Sequence, residues 1–354
     1  MIKLFTDWYT RKFSDPHAVT LVVILICSFL FIALFNHLLM PVLVALAIAF
    51  LLDLPVNRLV NLNFSRTSAT IIVVGGFIGA TLITLLGLMP IIWQQSSSLL
   101  QETPSMLSEG QKYLLTLPEK YPDIIQVSQV ELFISSVKDK SLEWGQVALT
   151  ASLNSISDLV VLMIYFILVP LMVFFFLKDK KYLITTFMQF LPKERRMAVQ
   201  VAKEMNQQII NYIRGKIIEI LIVGISTTII FICLDLRYSL LLGVLVGLSV
   251  LVPYVGATIV TIPVFLVALF QWGFSHELGY IMLAYGIIQA LDGNVIVPLV
   301  FSEAVNLHPI TIIIAVLFFG GLWGIWGVFF AIPLASLVKA VINAWSSTQT
   351  EQTE

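Results

Sequence analysis

Long uncharged runs decide what this chain can become. Neither Ala18 to Phe35 nor Tyr238 to Phe270 contains a charged side chain. About 20 apolar residues in a helix cross a hydrocarbon core about 30 Å thick. Inside lipid each backbone N–H and C=O must find a partner within the protein, so such runs read as helices. Composition agrees: 58% of residues are hydrophobic and 12% charged, against about 25% charged in a soluble domain. The predicted class is therefore an all-α polytopic membrane protein. A net charge of −1 gives no reason to expect a nucleic-acid partner. Cys27 and Cys233 both sit inside apolar runs and read as packing residues rather than a disulfide or a metal site.

Along the chain, Lys3, Arg11 and Lys12 precede the first run. That run is long for a signal peptide and has no small-residue cleavage pattern behind it, so it reads as an uncleaved anchor with its basic end in the cytoplasm. Leu38 to Leu54 returns inward, with Asp53 expected at a helix end near solvent. Thr67 to Trp93 crosses outward, and its Gly75-Gly76-x-x-Gly79 reads as a face for close helix packing. The polar segment 94–158 holds four lysines, eight carboxylates, no arginine and no histidine, and reads as a small helical extracytoplasmic insertion. Leu159 to Leu177 comes back to the inside. Seven basic residues from Lys178 to Lys203 then mark the inner surface, split by Pro192 into two short amphipathic helices. The organisation expected is 1–93, three membrane helices; 94–158, the insertion; 159–204, a fourth span and the inner-surface helices; 205–345, the core; and 346–354, a polar tail.

The core carries the chemistry. Tyr280 to Val300 is long enough to span, yet holds Gln289, Asp292, Gly293 and Asn294, with Pro298 beyond. A carboxyl at membrane depth costs roughly 2.5–3.5 kcal/mol on insertion scales, so it persists where something pairs with it or uses it. It is either a structural acid satisfied by a basic partner, or a site for a proton, an ion or a solute. Gly293 would admit a neighbouring helix, and Pro298 frees a backbone carbonyl. Upstream, Met205 to Leu234 carries Arg214, Lys216 and Glu219, the two cations placed to snorkel to the inner face.

Two apolar stretches are interrupted in the same manner. Pro253 and Gly256 break 238–270, as either a re-entrant hairpin or one kinked span. Gly320-Gly321-x-x-Gly324-x-x-Gly327 breaks Ile310 to Ala340. Ile262-Pro263 follows the first break and Ile332-Pro333 the second. Asn211-x-x-Arg214-Gly215-Lys216 aligns with Gln289-x-x-Asp292-Gly293-Asn294. A polar-centred span followed by a broken hairpin, used twice in opposite senses, is an inverted repeat; with it come about eight membrane-spanning elements. The repeat suggests that Arg214 faces Asp292. Asp292, Asn294, Gln289, Arg214 and Glu219 are the candidate binding residues, and Pro253, Gly256, Gly324, Gly327 and Pro298 the candidate hinges.

The ordered segments FFLKDK (174–179), NYIRGK (211–216), PYVGA (253–257), QALDGNVIVP (289–298), VNLHP (305–309) and GGLWGIWG (320–327) resemble the AI-2E (autoinducer-2 exporter-like) transporter family, most of all its PerM-type permeases of Gram-negative bacteria. The resemblance covers essentially the whole chain. It implies a multi-pass protein of the bacterial inner membrane, about eight spanning elements, an insertion between the third and fourth, and homo-oligomers. It implies export of the autoinducer-2 signal or sodium(lithium)/proton antiport, and leaves the solute open.

The function expected is a secondary transporter for a small polar solute or cation, coupled to protons through Asp292. The alternative is a passive channel or membrane scaffold in which an Asp–Arg pair is structural. No HExxH, GxSxG or GxxxxGK[ST] is present, so neither an enzyme nor an ATP-driven pump is expected, and no cofactor. His308, before Pro309, reads as a turn residue.

Overall fold

The computed structural model describes residues 34–120, 162–189, 196–253, 255–301 and 307–351, with isolated positions between 20 and 32 and between 128 and 136. All elements among the described residues are helical. They are α1 (Asn36–Asn61), α2 (Arg66–Lys120), α3 (Leu162–Lys178), α4 (Lys180–Gln189), α5 (Arg196–Cys233), α6 (Ser239–Ser249), α7 (Val255–Trp272), α8 (His276–Leu291), a π-helical turn (Asp292–Ile296), α9 (Val297–Phe301) and α10 (Pro309–Glu351). Among the described residues six helices are long and apolar enough to cross a membrane, or seven if α3 and α4, bent by 81° at their junction, form one span. About eight were expected; the first of those, Ala18 to Phe35, lies partly outside the described residues. Ile83, Leu86 and Leu299 each expose 75% of their surface. Helices this apolar on the outside suit lipid as solvent.

Several boundaries differ from expectation. α2 does not stop at Trp93 but runs on through Gln94 to Lys120, with Pro90, Pro104 and Pro118 inside it. Its 55 residues make a rod of about 80 Å, far more than a bilayer core needs. The far part is held by contacts. Gln95 Oε1 accepts from the Leu241 N–H at 2.8 Å, Glu102 pairs with Arg237 at 3.0 Å, and Leu99 packs on the core cluster around Val246 and Val264. The rest of the expected insertion falls almost entirely outside the described residues. The second short amphipathic helix is not separate either: Arg196 already belongs to α5.

Asp53 is not at a solvent-facing helix end. It is 8% exposed, inside α1, and receives Lys180 Nζ at 2.8 Å, Asn57 Nδ2 at 2.9 Å and Arg66 at 3.4 Å. Arg66 Nε also donates to the Leu177 carbonyl at 2.8 Å, so this knot ties α1 and α2 to the α3–α4 bend. No described atom lies within 4 Å of where a Cβ would stand on Gly75, Gly76 or Gly79, so the close packing expected there is absent among the described residues. It occurs instead where α5 crosses α6, with Gly247 against Gly224 and Gly243 against Thr228. Cys27 and Cys233 are free thiols that face outward rather than packing inside.

The segment 238–270 is two helices, not one kinked span. α6 has 11 residues, about 16 Å at 1.5 Å per residue, too short to cross. The chain turns from Val250 onward and α7 packs back on α6, bringing Gly256 onto the Ser249 backbone, where no Cβ would fit. α10 is interrupted likewise. Gly324 takes φ 61° and ψ −138°, in the left-handed half of the map that glycine tolerates. Beyond it Gly327 lies on the Phe319 backbone, so the second arm folds along the first. Val252, at the first turn, packs on the cluster that holds Phe319 and Trp323 at the second.

Candidate functional site

Asp292 is placed by the register of α8. Leu278, Ile281, Tyr285 and Ile288 are buried, and Asp292 continues this three- and four-residue stripe at 9% exposure. The helix widens there into the π-turn, closed by the Val297 N–H to the Asp292 carbonyl, and Pro298 has no N–H to restore the α pattern. Such π-turns are frequent at functional positions. Asp292 Oδ1 and Gln289 Nε2 are buried without a hydrogen-bond partner.

The buried cation in the neighbourhood of this acid is Lys216, while Arg214 is not buried. Positions 214 and 216 lie about 200° apart around a helix: Arg214 is exposed, while Lys216 is buried at 4%. The snorkelling expected of Lys216 therefore does not occur. Its Nζ lies 2.7 Å from Glu219 Oε2, one turn along α5, and Glu219 is 2% exposed. Asp292 lies within electrostatic reach of both Lys216 and Glu219. The ammonium also lies 5.4 Å from the centre of the Phe301 ring, which closes on Gly215. The chain thus buries one cation and two carboxylates together. Gln289 joins them from α8, one turn before Asp292. Asn294 does not: it is exposed and donates to the Ala290 carbonyl of its own helix at 2.8 Å. Gly293 is exposed with no described atom near it, so it admits no neighbouring helix.

Two tyrosines that no sequence motif singles out tie the site to the turns. Tyr285 donates to the Ala257 carbonyl at 2.9 Å, one residue beyond Gly256. Tyr212 donates to the Phe329 carbonyl at 3.0 Å, two residues beyond Gly327. Each sits in a buried run of its helix; the signal available was a tyrosine on the same face as the buried charge. His308 caps the start of α10, its Nδ1 accepting from the Ile310 N–H at 3.3 Å, the turn role expected of it.

Residues 19–347 match the family described as AI-2E family transporter. The chain belongs to that family. It is 49% identical to "Putative permease PerM" of Escherichia coli (strain K12) over 352 residues, covering 99% of this chain and 100% of the relative. It is 27% identical to "Putative transport protein YueF" of Bacillus subtilis (strain 168), covering 88% of this chain and 85% of that one. It is 24% identical to "AI-2 transport protein TqsA" of Escherichia coli (strain K12), covering 93% and 91%. A multi-pass membrane transporter is the common ground, and the names point to permeases rather than enzymes.

Proposed function

We propose that this AI-2E family member is a secondary transporter of the bacterial inner membrane, moving a small polar solute or a cation outward against protons. The observation that carries this is Asp292: a carboxylate 9% exposed, in a π-turn, with one oxygen unpartnered and a buried ion pair beside it. A group of purely structural use would be expected to have both oxygens satisfied. Asp292 takes up a proton when the site is empty of solute and releases it when solute enters, with Gln289 and Glu219 lining the site. Arg214 and Asn294, both turned away, are assigned to the entry path rather than to the first contacts.

The wider architecture supports the reading. On this reading α5 with the α6–α7 hairpin, and α8 with the broken α10, form two copies of one unit in opposite senses. The base of the first hairpin lies at the far end of α5, where Arg237 and Gln271 meet. The last part of α10 lies at the start of α5, where Ala340 packs on Val201 and Met205. The tyrosine of each spanning helix bonds the hairpin of the other unit, as a two-fold relation asks. Paired discontinuous helices meeting near the midplane are a recurring way to build a solute site in lipid. Pro253, Gly256, Gly324, Gly327 and Pro298 are the hinges of this arrangement, and the N-terminus is cytoplasmic.

The test is transport in proteoliposomes. Asp292→Asn should assemble normally and lose transport driven by a pH gradient, in a screen of small diols and monovalent cations. Coupled transport at the wild-type rate in that variant would assign Asp292 to structure alone.

A further inference from the structure

Among the described residues, the buried charges of the site do not cancel. Lys216 supplies one positive charge, Glu219 and Asp292 two negative ones, and Lys216 is already in contact with Glu219 at 2.7 Å. Among the described residues, Tyr212, from α5, and Tyr285, from α8, are further titratable groups near it, and both donate their protons to backbone carbonyls. The surplus is one negative charge, on the side of Asp292 Oδ1, the buried oxygen with no partner. Uncompensated charge in so dry a place is costly, so the occupant that restores balance carries one positive charge.

We infer that Lys216 is a built-in cation that sets the valence of what this site accepts: one proton or one monovalent cation at a time, and not a divalent ion. This rests on reading Asp292 as the coupling site. With Lys216 in place a divalent ion would leave the pocket with a surplus positive charge. Without it, two carboxylates and the Gln289 amide oxygen would match a divalent ion, which favours oxygen ligands. The Lys216 ammonium lies over the Phe301 ring, and Phe301 and Val300 of α9 close in turn on Gly215 beside it.

Manganese(II) is the probe, read by loss of the free-ion electron paramagnetic resonance signal on purified full-length protein. The wild type should bind no manganese at this site. Lys216→Gln, and Lys216→Met with its apolar stem retained, should gain one manganese per chain, an affinity increase on the order of tenfold or more. Lys216→Gln combined with Asp292→Asn should lose it again. Manganese bound by the wild type, no gain in the folded single variants, or binding that survives the added Asp292→Asn would each overturn the inference. Should neither Lys216 variant fold, Glu219→Gln tests the same charge count. It leaves one ammonium facing one carboxylate, and coupled transport should be lost although Asp292 is intact; retained coupling overturns the count. Loss of coupling in Asp292→Asn without any gain of manganese in Lys216→Gln sinks this inference alone. Retained coupling in Asp292→Asn sinks the reading beneath it.

Discussion

At the scale of single residues, the hydroxyls of Tyr212 and Tyr285 do more than fill the core. Tyr212 satisfies the Phe329 carbonyl, whose helical donor position four residues on is Pro333, which has no N–H, and Tyr285 shares the Ala257 carbonyl with Thr261 Oγ1 at 2.8 Å. Replacing Tyr212 with Phe leaves the Phe329 carbonyl unpaired at nearly constant volume, which should cost about 1–3 kcal/mol. The check is the thermal midpoint of purified protein in detergent; an unchanged midpoint would mean that water or lipid replaces the bond. Residue identity also shows where a single sequence stops informing. That Asp292 is buried follows from its place in an apolar run. The repeat points to Arg214 as its partner because a sequence pattern compares positions, whereas contact depends on which face of α5 meets α8. Two residues of offset turn one cation outward and the other in. Asp53 marks a related limit: Pro55 beside it suggests a helix end, yet α1 continues through Pro55 to Asn61, as membrane helices tolerate.

At the scale of elements, the two glycine turns have parallel geometry. Gly256 rests on Ser249 and Gly327 on Phe319, each backbone against backbone. Alanine at either position would force the arms apart, so Gly256→Ala and Gly327→Ala should reduce the yield of monodisperse protein or abolish transport. Gly293→Ala, which meets no described atom within 4 Å, should do neither. Size-exclusion profiles of the three variants, followed by transport, check this; equal behaviour of all three would remove the turns from the account. These breaks were legible because Pro253, Gly256, Gly324 and Gly327 interrupt otherwise uniform apolar runs. The length of α2 was not. Beyond Trp93 its sequence turns polar and carries Pro104 and Pro118, signals that ordinarily end a helix. What accompanies the helix there is tertiary: Gln95, Leu99 and Glu102 dock on residues about 140 positions further along the chain, and nothing local announces such contacts.

At the scale of the whole molecule, the charges are sorted. Lys180 and Arg66 gather around Asp53 at one end, while Arg237 and Glu102 pair at the other. Between these ends the described residues bury Lys216, Glu219 and Asp292. The all-helical class, the polar centre of the 280–300 span and the two breaks could be read from residue types alone, because lipid as a solvent leaves few ways to satisfy a backbone. Which helices touch could not, since apolar faces are nearly interchangeable in sequence. The proposed transport requires the two hairpins to enter from opposite faces and to meet beside the buried acid. Single cysteines at Phe274, beside the base of the first hairpin, and at Ile342, on the last arm of α10, report this directly. They are placed in a background with Cys27 and Cys233 changed to serine and probed with a membrane-impermeant thiol reagent in intact and opened cells. Cys at 274 should label in intact cells and Cys at 342 only after opening. Labelling of both from the same side would contradict the opposed arrangement, and with it the site built between the two units.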